Sequence, residues 1–311
     1  MKIAIVHNEY GKFSGEEAVV RDQVDILKKN EHEVISFIRS SSEISNSRFG
    51  TAKAFCSGIY NPFAVRKFRS FLAQNRPDIV HVHNLFPLIS PAVLPECKKA
   101  GIPVVMTVHN YRLICPSGLF LSGAGVCEKC SGGNEFQCIL NNCEKSMPKS
   151  IGYALRNWFA RIRKFYLNNV SSYAVLSHFQ RRVMIENGFP ESKICVVPNM
   201  CKKRLIANAD ETATTHKYVA YIGRISKEKG IDLILQAATQ LPDIKFRLAG
   251  AGGEQYYEKA PQNIEFCGYM AENELNDFIA KSRFVIMPTA WYETFGLTAV
   301  ESMLQSKPLV Y

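Results

Sequence analysis

No run of eighteen apolar residues occurs in this 311-residue chain, so no membrane-spanning helix is expected. The first residues, Met1-Lys-Ile-Ala-Ile-Val-His7, are too short and too β-like for a signal peptide. Without an export signal, the ten cysteines are expected to stay reduced. A cytoplasmic location follows, with the inner face of a plasma membrane as a place of contact. Low-complexity tracts are absent, and no repeat is visible beyond two series of alternating strands and helices. Acidic residues are in short supply, 28 Asp and Glu against 38 Lys and Arg, for a formal net charge of +10. Nucleic acid could balance that charge, but no nucleic-acid motif accompanies it, and no nucleic-acid partner is expected. An anionic membrane or a pool of anionic substrates suits it equally well.

What is present is ordinary globular material, 47% hydrophobic and 21% charged, long enough for two cores. Short apolar strands alternate with amphipathic helix patterns. Lys2 to His7 reads as a strand, Gly11 to Gly15 as a loop, and Val19, Val20, Val24 and Leu27 as one helix face. Strands follow at 34–38, 78–83, 102–109, 172–176 and 193–197. This is the signature of parallel βαβ units. Residues 199–216 are polar and aperiodic, the best linker candidate. A second βα series starts at Tyr218, with a helix at 231–240, strands at 245–249 and 263–268, a helix at 272–281 and a strand at 284–288. The expected division is an N-terminal domain at 1–198, a linker at 199–216 and a C-terminal domain at 217–311. The second series stops on the apolar strand 307–311, so that domain is expected to be incomplete and the chain truncated.

The most specific pattern is Glu293-Thr-Phe-Gly-Leu-Thr-Ala-Val-Glu301, two carboxylates separated by seven residues. A helix is expected to start near Gly296, between them. Its first N–H groups lack intrahelical partners, and its dipole favours an anion. At about 1.5 Å rise per residue the carboxylates lie roughly 10–12 Å apart, with the anion site between. Hexose hydroxyls, a diphosphate and ribose hydroxyls have that layout in a nucleotide sugar. Read alone, the pair is equally two surface acids on a helix. The second pattern is Gly223-Arg224-Ile-Ser-Lys-Glu-Lys229-Gly230, a strand-to-helix turn. It places Arg224 and Lys229 at the carboxyl end of a strand, where doubly wound sheets bind ligands. Arg offers a bidentate fork to phosphate, and Lys a compact charge.

On these motifs the chain resembles the retaining nucleotide-sugar glycosyltransferases of family 4. The resemblance implies a GT-B fold: α/β, two Rossmann-like βαβ domains facing a cleft, the second here incomplete. It assigns Glu293 to donor-sugar hydroxyls, Glu301 to the ribose, and Arg224 and Lys229 to the diphosphate. Gly223, Thr294, Phe295, Gly296, Leu297 and Thr298 complete the donor site. Gly15 matches a glycine-rich turn in part, because the family usually has two adjacent glycines where this chain has Ser14-Gly15. His109, in Thr107-Val-His-Asn-Tyr-Arg112, matches a histidine placed against the donor sugar. His109, Arg224, Lys229 and Glu293 are therefore the implied catalytic group. The implied reaction moves a sugar from a nucleoside-diphosphate sugar to a hydroxyl on a saccharide or lipid-linked acceptor, in polysaccharide or glycolipid biosynthesis. No catalytic cofactor is implied, and no Asp-x-Asp sequence offers a metal–diphosphate site. A truncated inactive remnant, an interaction subunit and a nucleotide-sugar epimerase of similar fold are the rival readings.

Three features lie outside those motifs. His81 and His83 share one strand face but lack an evident third metal ligand. Five cysteines cluster in the loop 113–147, at Cys115, Cys127, Cys130, Cys138 and Cys143. A CxxC among distant cysteines reads as metal-binding, and a long loop needs a staple. A structural zinc on Cys115, Cys127, Cys130 and Cys143 is expected, since a subset of the family has cysteines in that arrangement; thiols or disulfides are the alternatives. Residues 150–168 read as one basic, aromatic helix whose Tyr153, Trp158, Arg161 and Phe165 form no clean stripe. Such a helix suits either peripheral contact with an anionic membrane or a core position with snorkelling cations.

Overall fold

The unbroken apolar run at the N-terminus dictates a strand covered on both faces. In the computed structural model, which describes residues 1–10, 15–45, 55, 57–123, 125–201 and 218–311, it forms β1 (Lys2–Glu9), buried from Ile3 to Asn8. The chain divides into two units, Met1–Met200 and Cys201–Tyr311. Most of the expected linker, and residues 11–14 of the first expected loop, lie outside the described residues.

In the first unit β1 is followed by β2 (Glu33–Ser40), β3 (Ile79–Asn84) and β4 (Val104–Val108). A two-residue hairpin, β5 (Leu121–Ser122) and β6 (Gly125–Val126), stands apart, and then come β7 (Ser172–Val175) and β8 (Ile194–Val196). The main sheet runs β2-β1-β3-β4-β7-β8, and every pairing in it is parallel. Helix Gly15–Lys29 lays Val20 on Ile3 and Ile5 of β1. Helix Pro62–Asn75 starts sharply because Asn61 accepts a hydrogen bond from the Ala64 amide at 3.1 Å and Pro62 pre-sets the first turn.

The second unit has β9 (Val219–Ile222), β10 (Phe246–Ala249), β11 (Ile264–Gly268), β12 (Phe284–Ile286) and β13 (Leu309–Val310). They form a parallel sheet in the order β11-β10-β9-β12-β13. Side chains alternate along β9. Val219 and Tyr221 pack with Ile231, Ile234 and Ala238 of helix Ile231–Gln240. Ala220 packs on the opposite side with Phe278 and Ile279 of helix Glu272–Ala280. Both faces are covered, and each unit is a Rossmann-like α/β domain.

Three local expectations change. The basic segment 150–168 is two helices, Met147–Ile162 and Phe165–Asn169, because Lys164 takes a left-handed conformation (φ 50°) that interrupts the first. The cysteine-rich loop holds the β5–β6 hairpin and a short helix, Gln137–Leu140. The strand expected to reach Pro288 ends at Ile286. No helix among the described residues is long and apolar enough to cross a membrane.

Gly230 joins the turn after β9 to helix Ile231–Gln240 at φ 79°, and a Cβ there would stand 1.6 Å from the Pro288 carbonyl oxygen. Gly230→Ala is therefore expected to destabilise the second unit by about 2–4 kcal/mol, through left-handed strain and a backbone clash. Urea denaturation checks this; an unchanged midpoint would contradict the close approach.

Candidate functional site

In the second unit the chain proceeds from β9 outward to β10 and β11, then returns to the other side of β9 for β12 and β13. Strand order reverses at the β9–β12 pair, so the connections leaving their carboxyl ends diverge and open a crevice. The turn after β9 carries Gly223, Arg224 and Lys229, and the loop after β12 carries Glu293 to Gly296. Both are fixed by backbone. The Tyr221 hydroxyl donates to the Arg224 carbonyl at 2.6 Å, and the Ala290 amide donates to the Glu228 carbonyl at 3.0 Å. Gly250, after β10, sits where a Cβ would be 1.8 Å from the Gly223 oxygen.

This frame brings the two sequence motifs together. Lys229 Nζ donates to Glu293 Oε2 at 2.6 Å across 64 residues of chain, and both side chains are about four-fifths shielded. The same ammonium lies 5.0 Å from the centroid of the buried Trp291 ring, a cation–π contact. Arg224 pairs with Glu228 at 3.1 Å and remains exposed. Helix Leu297–Leu304 begins at Gly296, whose left-handed backbone offers no side chain as a cap. Thr298 Oγ1 donates to the Ile222 carbonyl at 3.4 Å, which ties that helix to the end of β9. Thr294 is buried, while Phe295, Leu297 and Glu301 are partly covered. The result is two cations, a helix N-terminus and two carboxylates around one strand edge. Cations and free N–H groups hold a multiply charged anion, and carboxylates accept from hydroxyls.

The first unit gathers a second polar cluster, mostly unmarked by the sequence motifs. His83 and His109 share a hydrogen bond, Nδ1 to Nε2, at 2.9 Å. His81 stacks on His83 with ring centroids 4.4 Å apart, and His7 meets His83 edge-on at 6.2 Å. His81 Nε2 is bound to Thr107 Oγ1 at 2.8 Å. Glu16, one residue after the helix-opening Gly15, accepts from the Tyr10 hydroxyl at 3.0 Å, and Arg112 donates to that hydroxyl at 3.4 Å. Glu16 Oε1 lies 3.9 Å from His7 Nδ1. Burial pushes His7 and His81 down to about 4 and His109 to about 3, holds His83 well below its usual range, and lifts Glu16 to about 7. Sequence reasoning found His109 but missed His7, Glu16 and Tyr10. The available signal was their shared position at and just beyond the end of β1.

The cysteine cluster differs from the zinc set expected from sequence. The Cys115 and Cys130 thiols are close enough to perturb each other's titration, as are those of Cys138 and Cys143. Cys138, left out of the expected zinc set, is thus among the thiols drawn together. Helix Gln137–Leu140 turns it inward, next to Cys130 and Ala154, whereas Cys127 follows the β5–β6 hairpin with its amide bound to the Phe120 carbonyl. Among the described residues no group of three or more His, Cys, Asp or Glu side chains is placed to hold a metal ion.

Comparison with known proteins bears on the family and the fold. The model of Glycosyltransferase Family 4 matches residues 13–201, and that of Glycosyl transferases group 1 matches residues 203–311. The chain is similar to an uncharacterized 42.6 kDa protein in a cps region of Klebsiella pneumoniae, 29% identical over 80% of this chain and 61% of the relative. It is also similar to an uncharacterized glycosyltransferase of Methanocaldococcus jannaschii, 25% identical over 82% of this chain and 60% of the relative. The chain therefore spans about three fifths of the length of these relatives. Among solved structures, Anabaena HepE in complex with UDP-glucose superimposes with a TM-score of 0.62 at 18% identity, covering 99% of this chain and 79% of HepE. That likeness shows the GT-B fold.

The buried histidines make stability depend on pH. Unfolded, each binds a proton near pH 6.5; folded, His7 and His81 wait until about 4. Across that window the unfolded chain holds more protons, so stability falls as pH falls. Glu16 acts oppositely, because its folded value of about 7 lies above the ordinary 4.5 and its contribution declines as pH rises between the two. The urea midpoint is expected to climb from pH 4.5 to 6.5, and to climb more steeply in Glu16→Gln. Circular dichroism across the window measures both slopes; a shallower slope in Glu16→Gln would contradict the assignment.

Proposed function

The chain belongs to Glycosyltransferase Family 4, and on that premise we propose that it transfers a sugar from a nucleoside-diphosphate sugar to a hydroxyl acceptor with retention at the anomeric carbon. The observation that carries this reading is the 2.6 Å pair of Lys229 and Glu293 at the strand-order reversal. One partner suits a phosphate and the other a sugar hydroxyl, and they meet where a diphosphate joins a hexose. UDP-glucose in HepE, a protein of the same fold, supports a nucleotide sugar as the donor class. The cps-region relative supports a role in polysaccharide or glycolipid assembly, with a saccharide or lipid-linked acceptor.

In this reading the free site is pre-neutralised. An entering diphosphate competes with Glu293 for Lys229, and the released carboxylate then accepts from the hexose hydroxyls. Arg224, exposed beside Glu228, swings to the phosphates as a fork. The first amides of helix Leu297–Leu304 face the same charge, and Glu301 in its second turn takes the ribose. The family resemblance also assigns Gly15, at the start of its helix, to donor binding and His109 to the donor sugar.

Retention by double displacement would need a carboxylate nucleophile about 5 Å from an acid partner. Glu293 is taken up by the sugar hydroxyls once the donor is bound, so we assign a one-face reaction. The acceptor oxygen attacks the anomeric carbon as the diphosphate departs, and the diphosphate takes the acceptor's proton. Arg224, Lys229 and the helix N-terminus stabilise the charge growing on the leaving group.

Arg224→Ala is expected to cost about 2–4 kcal/mol of transition-state stabilisation, seen as a fall in kcat/KM with little change in fold. Turnover near the parent value would remove Arg224 from the donor site. Calorimetry separates the two glutamates. Glu301→Ala should weaken free nucleoside diphosphate and sugar nucleotide alike, by about 1.5–3 kcal/mol. Glu293→Ala should weaken only the sugar nucleotide, and bind free nucleoside diphosphate as well as the parent or better, since Lys229 loses its competitor. Equal weakening of free nucleoside diphosphate by both variants would reverse the proposed direction of the donor.

A further inference from the structure

Helix Met147–Ile162 has its polarity inverted. Its buried positions include Arg156 and Asn157 together with Ser150, Ala154 and Ala160. Arg156 is accommodated there by a 2.7 Å hydrogen bond to the Pro116 carbonyl and by the rings of Phe86 and Tyr153, at 4.1 and 4.5 Å. The outward side carries Met147, Ile151, Leu155, Trp158 and Ile162. Spacings of four, four, three and four residues keep these on one line. Leu155 is 39% exposed, Trp158 47% and Ile162 52%. The apolar surface continues sideways, where the Tyr60 ring meets Phe159 at 6.4 Å and Phe63, three residues on, is 77% exposed.

The exposed charge beside this stripe is mostly basic; of the acids near the helix, Glu135 is buried and paired with Arg161 at 2.6 Å, and Glu144 is partly covered. Helices Pro62–Asn75 and Met147–Ile162, which carry these side chains, contain no Asp or Glu, against three Lys and Arg each. Lys145 and Lys149 stand exposed near one end of the stripe, and Arg163 and Lys164 near the other. A surface that is apolar along its centre and cationic at its ends fits a layer that is hydrocarbon within and anionic outside. Nucleic acid would set its phosphates against carbon and fits less well.

We propose that this face of the first unit docks on an anionic lipid surface. Leu155, Trp158 and Ile162 enter the headgroup–acyl boundary, and Lys145, Lys149, Arg163 and Lys164 meet the anionic headgroups. The proposal does not rest on the reaction above, since lipid binding is measured without donor or acceptor.

The test is co-sedimentation of the 311-residue chain with two sets of vesicles, one of phosphatidylcholine alone and one of phosphatidylcholine and phosphatidylglycerol in equal parts. Binding is expected to the mixed vesicles and to weaken as salt is raised. Trp158→Glu/Ile162→Glu should lower the partition constant by at least about tenfold. Lys149→Glu/Lys164→Glu should lower it by a similar factor. Circular dichroism confirms that each variant is folded; all four positions are exposed. No binding to the mixed vesicles, equal binding to phosphatidylcholine alone, or undiminished binding by either folded variant overturns the proposal. So does a parent dimer in solution that Trp158→Glu/Ile162→Glu converts to monomer, because a second copy would then be the occupant.

Discussion

Where the turn after β9 passes the connections that leave β10 and β12, the backbones touch with no room for a Cβ. Gly230 lies against Pro288, and Gly250 against Gly223. Glycine at these points lets three loops converge on one strand edge, and everything that makes the edge chemical depends on that convergence. Lys229 directly precedes Gly230, so the contact that seats Gly230 under Pro288 also aims Lys229 at the loop carrying Glu293. The amide of Ala290 on the Glu228 carbonyl closes the same junction from the other side. An ion pair between two flexible, exposed chains contributes little. Here both partners are shielded and the backbone has set their separation, so little side-chain freedom remains to be lost on binding.

The first unit solves the opposite problem. Its sheet ends in imidazoles rather than in charges, and burial keeps them neutral. Neutral rings stack and exchange hydrogen bonds without the desolvation that charged groups would suffer. The one acid among them, Glu16, is correspondingly reluctant to ionise. A shielded ion pair in the second unit and a buried group of neutral rings in the first are two ways of holding hydrogen-bonding groups in place.

Much of this was legible in the residues. Continuous apolar runs such as Lys2 to His7 and Val219 to Ile222 marked parallel strands, because only a strand covered on both faces needs carbon on both. The two motifs of the second unit were legible because they lie on short turns between such strands, where spacing translates directly into position. Less could be read from the segment 145–169. A period of 3.6 reports a stripe but not which side faces inward, and a buried arginine held by two rings and a carbonyl inverts the usual choice. Lys164 breaks that helix without a glycine or proline to announce it. Cysteine spacing named the cluster but not which thiols pack together, because one turn of helix at Gln137–Leu140 turns Cys138 inward. Sequence placed His81 and His83 on one strand face but gave no sign that His7 and His109 join them, because the four members come from two strands and the loop after β4.

The bond between His83 Nδ1 and His109 Nε2 has a consequence for where protons sit. Two neutral imidazoles joined this way hold one proton between them, so the tautomer of either ring dictates that of the other. His83 Nε2 is buried and has no hydrogen-bond partner among the described residues. A buried lone pair left bare is cheaper than a buried N–H left bare. His83 therefore carries its proton on Nδ1 and gives it to His109, and His109 carries its own on the far nitrogen. The tautomer of one ring is thus set by a neighbour twenty-six residues away.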